Sequence, residues 1–185
     1  MAGNLQGPVE AALVVLVPEV EPLVALFRLK HDSSGVLGVP AHVTINYPFL
    51  PGIVPSEKLH RELKRLFATV KPFQCTFNRI ARLPDLLYLP PDPATPFKQL
   101  ISLVANHFPE SPPYEGAFDE IIPHLTVVQS EDEQVLKSVE QELVVLSQGI
   151  LPLSIQVEHV WLMDHRARRW QKQDSFSLGR LLPQK

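Results

Sequence analysis

The tripeptide His-x-Thr occurs twice in this chain, each time inside a run of apolar residues. His42-Val43-Thr44 lies in the stretch from Pro40 to Phe49, and His124-Leu125-Thr126 in the stretch from Ile121 to Gln129. Both runs read as β-strands. Side chains alternate across a strand, so each histidine shares a face with its own threonine. A single copy reads most simply as a polar pair on a half-buried strand. Two copies in matching surroundings point instead to one site, in which paired strands present two imidazoles and two hydroxyls to a common cleft.

The elements around the two copies repeat in order. Ala11 to Val17 is a continuous apolar run and reads as a buried strand. Glu19 to Lys30 has apolar residues at helical spacing and a basic end, and a Ser- and Gly-rich loop (31–40) follows. After the first His strand, Ser56 is placed to cap a helix reaching about Val70, and Phe73 to Ile80 alternates as a strand. The second half runs from a strand at Leu86–Leu89, through the Pro-rich segment 90–96, to a helix over Pro96–Phe108. The loop 109–123 then delivers the second His strand. Ser130 is the expected cap of a helix to Ser147, stopped by Gly149. Leu151–Met163 reads as one long strand, 164–169 as a turn, and Trp170–Leu178 as the returning strand. Each half is thus strand, helix, HxT strand, helix, strand. An approximate internal two-fold would bring the histidines face to face, although the halves share little sequence identity beyond the tripeptide.

Composition narrows the function. With 45% apolar and 20% charged residues, the 185-residue chain suits one bilobal globular domain over 1–185, with 1–10 as a loose N-terminus. A net charge of -3 argues against a broad basic face for nucleic acid but leaves room for a small phosphorylated ligand held by local donors. The single cysteine, Cys75, has no internal partner, which suggests a reducing compartment and a cytoplasmic location; it reads as a small buried residue. The run Ala11–Val17 is too short for a signal peptide or a membrane span. No HxH, CxxC or HExxH spacing is present, so neither a metal nor another cofactor is expected.

Two histidines flanking a phosphorus can divide acid and base work near neutral pH, one accepting a proton from water and the other donating to the leaving oxygen. The two threonine hydroxyls would hydrogen-bond the non-bridging oxygens, where charge accumulates. Among secondary candidates, Tyr47, Tyr114 and Phe118 are placed to contact substrate by stacking or hydrogen bonding, with ordinary packing an equal alternative. Phe49 and Trp161 read as core. Arg166, Arg168 and Arg169 read as a solvated hairpin tip, His31 and His60 as exposed, and His107 as a helix C-terminal charge. His159 and His165 lack a matching Thr and are not assigned to the site.

The segments PAHVTINYPF, LYLPPDP, FPESPPYEGAFDEIIPHLTVV and the closing VWLM, RW and FSLG together resemble the 2H phosphoesterase superfamily, in particular its 2′-5′ RNA ligase-like (LigT-like) branch. The resemblance spans about Ala11 to Gly179. It implies an α+β, bilobal fold with two pseudo-two-fold related antiparallel-rich sheets, outer helices and a central cleft. It also implies metal-independent chemistry on 2′,3′-cyclic phosphates or 2′-5′ linkages of RNA ends or nucleotides. By that resemblance His42 and His124 are catalytic and Thr44 and Thr126 bind phosphate. Hydrolysis of cyclic phosphates to 2′-phosphates leads; 2′-5′ phosphodiesterase or ligase activity, and non-catalytic binding of RNA ends or nucleotides, remain as alternatives. The closed fold is expected to act as a monomer.

Overall fold

Alternation along β1 (Glu10–Leu16) and β2 (His42–Asn46) gives each strand one face for the core and one for the cleft. The computed structural model describes residues 10–179 apart from 54 and 167. In it Ala11, Leu13, Val15, Val43 and Ile45 join the main core, while Ala12 and Val14 lie on the other side with Val39 and Met163. The remaining strands are β3 (Phe73–Phe77), β4 (Ala81–Leu83), β5 (Leu86–Leu89), β6 (Pro91–Asp92), β7 (Leu125–Gln129), β8 (Leu153–Val157), β9 (His159–Arg166) and β10 (Arg169–Ser177). A seven-stranded sheet has the order β10-β9-β1-β2-β7-β5-β4, and a three-stranded sheet the order β6-β3-β8, with every neighbouring pair antiparallel.

The strand order is symmetric about the β2–β7 contact. β1 flanks β2 as β5 flanks β7, and β3 pairs with β8 in the small sheet. The two halves anticipated from the repeated elements are therefore related by an approximate two-fold, in the α+β arrangement. The helices are α1 (Glu21–His31), α2 (Ser33–Val36), α3 (Glu57–Ala68), α4 (Thr95–His107) and α5 (Glu133–Ser147). They cross over: α1 of the first half packs on β7, and α4 of the second on β2. The apolar stripes Leu23, Val24 and Phe27 of α1 and Phe97, Leu100 and Val104 of α4 thereby cover one face of the central strands.

Several boundaries differ from the sequence expectation. The long strand at Leu151–Met163 is two strands in different sheets, β8 and β9, separated at Glu158. The alternation from Phe73 likewise ends at Phe77, and β4 belongs to the other sheet. Strand propensity marks a segment as extended but not which sheet it joins. Residues 164–166 of the expected turn are strand; the reversal is tighter, with Arg168 in the left-handed region (φ 64°). The loop 31–40 contains the short helix α2, capped by Asp32, whose Oδ1 accepts from the Ser34 N–H. Asp132 rather than Ser130 caps α5, and Ser130 Oγ accepts instead from the Asp132 N–H. His60 is half-buried against Asp174 and Phe176 rather than solvated, and His107 Nε2 meets Glu62 at 2.9 Å. Ser56 caps α3 as expected, and Phe49 and Cys75 are buried. Residues 1–9 of the expected loose terminus lie outside the described residues.

Candidate active site

The two His-x-Thr strands are direct neighbours. β2 and β7 pair through Val43 and Leu125, the middle residues of the two tripeptides. Both are fully buried, so the flanking histidines and threonines all face the cleft. Antiparallel pairing about that point sets His42 across from Thr126 and Thr44 across from His124. Opposed residues lie ~5 Å apart and diagonal ones ~7–8 Å, so the histidines occupy a diagonal of a four-residue plaque. A phosphate centred on it meets an imidazole on two opposite sides.

A bulge interrupts each half-sheet at the equivalent place. Asn46 pairs with Leu13 but Thr44 with Val14, leaving Ile45 extra; Val128 pairs with Leu87 but Thr126 with Tyr88, leaving Val127 extra. The residue beside the threonine thus differs between halves. It is Val14 in the first and Tyr88 in the second, where the Tyr88 ring lies edge-on to His124 at 5.7 Å.

The two imidazoles are held identically. His42 Nδ1 lies 2.7 Å from the Pro40 carbonyl and His124 Nδ1 2.7 Å from the Ile122 carbonyl, each two residues back. A carbonyl only accepts, so each Nδ1 carries the proton and donates it. Nε2 is left as the ring nitrogen free for chemistry. Burial, with the Arg28 guanidinium nearby, lowers the His42 pKa to about 4, opposed by its hydrogen bond to Pro40 and by Asp32. His42 is consequently neutral at pH 7.

Arg28 and Asp32 form a buried pair behind this histidine. Arg28 Nε donates to Asp32 Oδ2 at 2.9 Å, and its Nη2 donates to Ser34 Oγ (3.1 Å) and the Val39 carbonyl (3.2 Å). Gly35 sits so close that a Cβ there would lie 2.8 Å from the Arg28 carbonyl oxygen. This cluster escapes sequence reading because Arg28 and Asp32 at i, i+4 look like a surface pair. The Ser/Gly composition of 33–35 is the available clue to a tight approach.

The depressed pKa has a consequence for stability. An unfolded chain takes up a proton on histidine near pH 6.5, and the folded chain refuses it at His42 until about pH 4. Stability therefore falls as pH drops through that window, by about 2 kcal/mol at pH 5. Thermal unfolding of wild type and His42→Asn at pH 7, 6, 5 and 4.5 is expected to show a steeper decline for wild type. Parallel curves would contradict it.

Of the three aromatic candidates, two reach the site. The Tyr114 hydroxyl meets the Thr44 side chain, and burial raises the phenol pKa against that hydrogen bond. Tyr47 hydrogen-bonds Glu10 at 3.2 Å and lies edge-on to Trp170. Phe118 packs edge-on against Tyr114 at the rim and is 61% exposed. The loop carrying Tyr114 is pinned to the exit of β2. Asn46 Nδ2 donates to the Ser111 carbonyl (2.9 Å), Ser111 Oγ accepts from the Leu50 N–H (2.9 Å), and the Tyr114 N–H donates to the Tyr47 carbonyl (2.6 Å). Tyr114 and Glu115 adopt left-handed backbone (φ 52° and 56°), an uncommon state for residues with a Cβ that this pinning sustains.

Beside His42 and Thr44 a cavity of about 320 Å³ opens along β1. Ala12, Val14, Val39 and Met163 contribute apolar surface, Tyr47 and Trp170 aromatic walls, and Glu10 and His165 polar groups. His165, unassigned from sequence, lies 5.6 Å from the Trp170 ring, and its buried Nε2 has no hydrogen-bond partner. Trp161 is half-buried on the open face of the sheet rather than in the main core. Arg166 pairs with the buried Asp164 at 2.6 Å, so the hairpin is not simply a solvated cluster of cations. Among the described residues, no three His, Cys, Asp or Glu side chains converge as a metal ion would need, and no helix is long and apolar enough to cross a membrane.

Comparison with known proteins agrees with this fold. Among solved structures, Escherichia coli LigT complexed with 3′-AMP superposes with a TM-score of 0.59 at 16% identity, over 94% of this chain and 100% of that one. The same protein complexed with NADP+ gives 0.57 at 18% identity, over 95% and 100%. TT0787 of Thermus thermophilus gives 0.55 at 19%, over 92% and 98%. Among curated protein sequences, none matches. The family model of the 2′-5′ RNA ligase superfamily matches residues 16–169, which include both tripeptides, and the chain belongs to that superfamily.

Proposed function

We propose that this protein, acting as one bilobal unit, is a metal-independent phosphodiesterase that opens 2′,3′-cyclic phosphates of nucleotides or RNA ends to 2′-phosphates. The observation that carries the reading is the matched anchoring of His42 and His124. Each Nδ1–H is committed to a carbonyl two residues back, so each Nε2 is free beside a threonine hydroxyl on one face. Because His42 is neutral at pH 7, it takes the base role: its Nε2 accepts a proton from water as the oxygen attacks phosphorus. The bond from phosphorus to O3′ breaks on the opposite side, and the leaving oxygen takes the proton from Nε2 of a cationic His124. Thr44 and Thr126 donate to the non-bridging oxygens, and Tyr114 supports Thr44. Phe118, exposed at the rim, is placed to stack on a further base, which supports RNA ends and 2′-5′ linked oligonucleotides as substrates.

The test is turnover of 2′,3′-cyclic nucleotides, of a short RNA ending in cyclic phosphate and of a 2′-5′ dinucleotide, each in excess EDTA. Formation of 2′-phosphates undiminished by chelator is expected. The profile of kcat/KM should stay high down to about pH 5, since the base is already deprotonated there. A rate that climbs from pH 5 to 7 would remove His42 as base. Binding of nucleotides without product would leave a non-catalytic nucleotide protein.

A further inference from the structure

The approximate two-fold of the site is broken at one place, and the break gives the cleft a direction. Val14 stands beside Thr44 where Tyr88 stands beside Thr126. The Tyr88 ring occupies the second half next to His124, whereas in the first half Val14 and Ala12 leave the 320 Å³ cavity open. A substrate whose phosphate rests on the His-Thr plaque therefore finds a formed cavity for its bulk on the His42 side. The cavity is shaped for a flat ring: small side chains of β1 beneath it, Trp170 and Tyr47 around it.

Its polar end is more selective still. Glu10 of β1 and His165 of β9 are directly paired across the strands, so their side chains stand next to each other on the cleft face. Both line the cavity. One Glu10 oxygen takes the Tyr47 hydroxyl at 3.2 Å, which leaves acceptor capacity on the carboxylate. His165 Nε2 is buried without a partner. Glu10 lies four residues along β1 from Val14, ~13 Å at the rise of a strand, and carries a negative charge that repels a second phosphate. An acceptor carboxylate beside an imidazole donor matches the outer edge of guanine, which offers two adjacent N–H groups next to a carbonyl oxygen.

We infer that this cavity is a base-recognition pocket selective for guanine, with Glu10 accepting from the N1 and N2 hydrogens and His165 donating to O6. The inference rests on the phosphate binding at the His-Thr plaque proposed above, but base preference is readable by binding as well as by turnover. Calorimetric titration of wild type, Glu10→Gln and Ala12→Leu with the 2′-monophosphates of guanosine, adenosine, cytidine and uridine, and with inorganic phosphate, would test it alongside hydrolysis of the four cyclic nucleotides.

The guanosine nucleotide is expected to bind on the order of 10- to 100-fold more tightly than those of adenosine and uridine. Glu10→Gln, which puts an amide donor against the guanine donors, should collapse that preference while leaving inorganic phosphate affinity unchanged. Ala12→Leu should weaken all four nucleotides and spare phosphate. Equal affinity for the four bases, or a guanine preference that survives Glu10→Gln, would overturn the inference. Hydrolysis without base preference would remove the pocket and keep the phosphodiesterase; guanine-selective binding without hydrolysis would do the reverse.

Discussion

Replacing His42 or His124 by alanine is expected to lower kcat/KM on cyclic nucleotides by roughly 100- to 10,000-fold, the range of a positioned general acid or base. The double variant should be scarcely worse than either single one, since proton acceptance and donation belong to one displacement. Neither ring is part of the main core, so the variants should remain folded. The roles separate by leaving group. A phosphodiester whose leaving oxygen departs without a proton should restore much of the rate to His124→Ala and none to His42→Ala. Rescue of the His42 variant instead would exchange the two assignments, and full activity in either variant would remove the two-histidine mechanism.

Replacing Arg28 by methionine is expected to destabilise the fold by about 3–5 kcal/mol, because it leaves the Asp32 carboxylate buried without its cation. Arg28 is 2% and Asp32 4% exposed, so water does not reach in to compensate. Urea unfolding with an unchanged slope would read the effect as a lower midpoint. Adding Asp32→Asn, which keeps an acceptor for the Ser34 N–H while removing the charge, should recover a large part of the loss. The Arg28 charge is also one cause of the low His42 pKa, so the single variant should move that pKa upward, visible in the NMR titration of the ring. A loss below about 1 kcal/mol would mean that the pair behaves as an exposed one.

The sequence is most informative where a local period carries the information. His42, Thr44, His124 and Thr126 can be assigned to one face of two strands because alternation is a property of each strand alone. The equivalence of the halves follows from element order. What stays hidden depends on which strands become neighbours. Tyr88 reads as one more apolar-run residue until β5 pairs with β7 and sets it beside Thr126. His165 acquires its place from pairing with Glu10, more than 150 positions away, and β8 and β9 part company because their partners lie in different sheets. His60 reads as solvated on its helix face until β10 brings Asp174 to it.

The Val43–Leu125 pairing joins the two lobes by backbone, and this fixes how the protein can vary. Strand spacing, rather than the closure of two independent bodies, sets the separation of the two imidazoles. A hinge opening between the lobes would have to part β2 from β7 and separate the two histidines themselves. The open face is bordered instead by α2 and the residues that follow it, the Tyr114 turn and the β9–β10 hairpin. The paired histidines and the rim around them thereby belong to separate parts of the chain. The border segments can be redrawn in length and sequence while the distance between the two imidazoles stays the same.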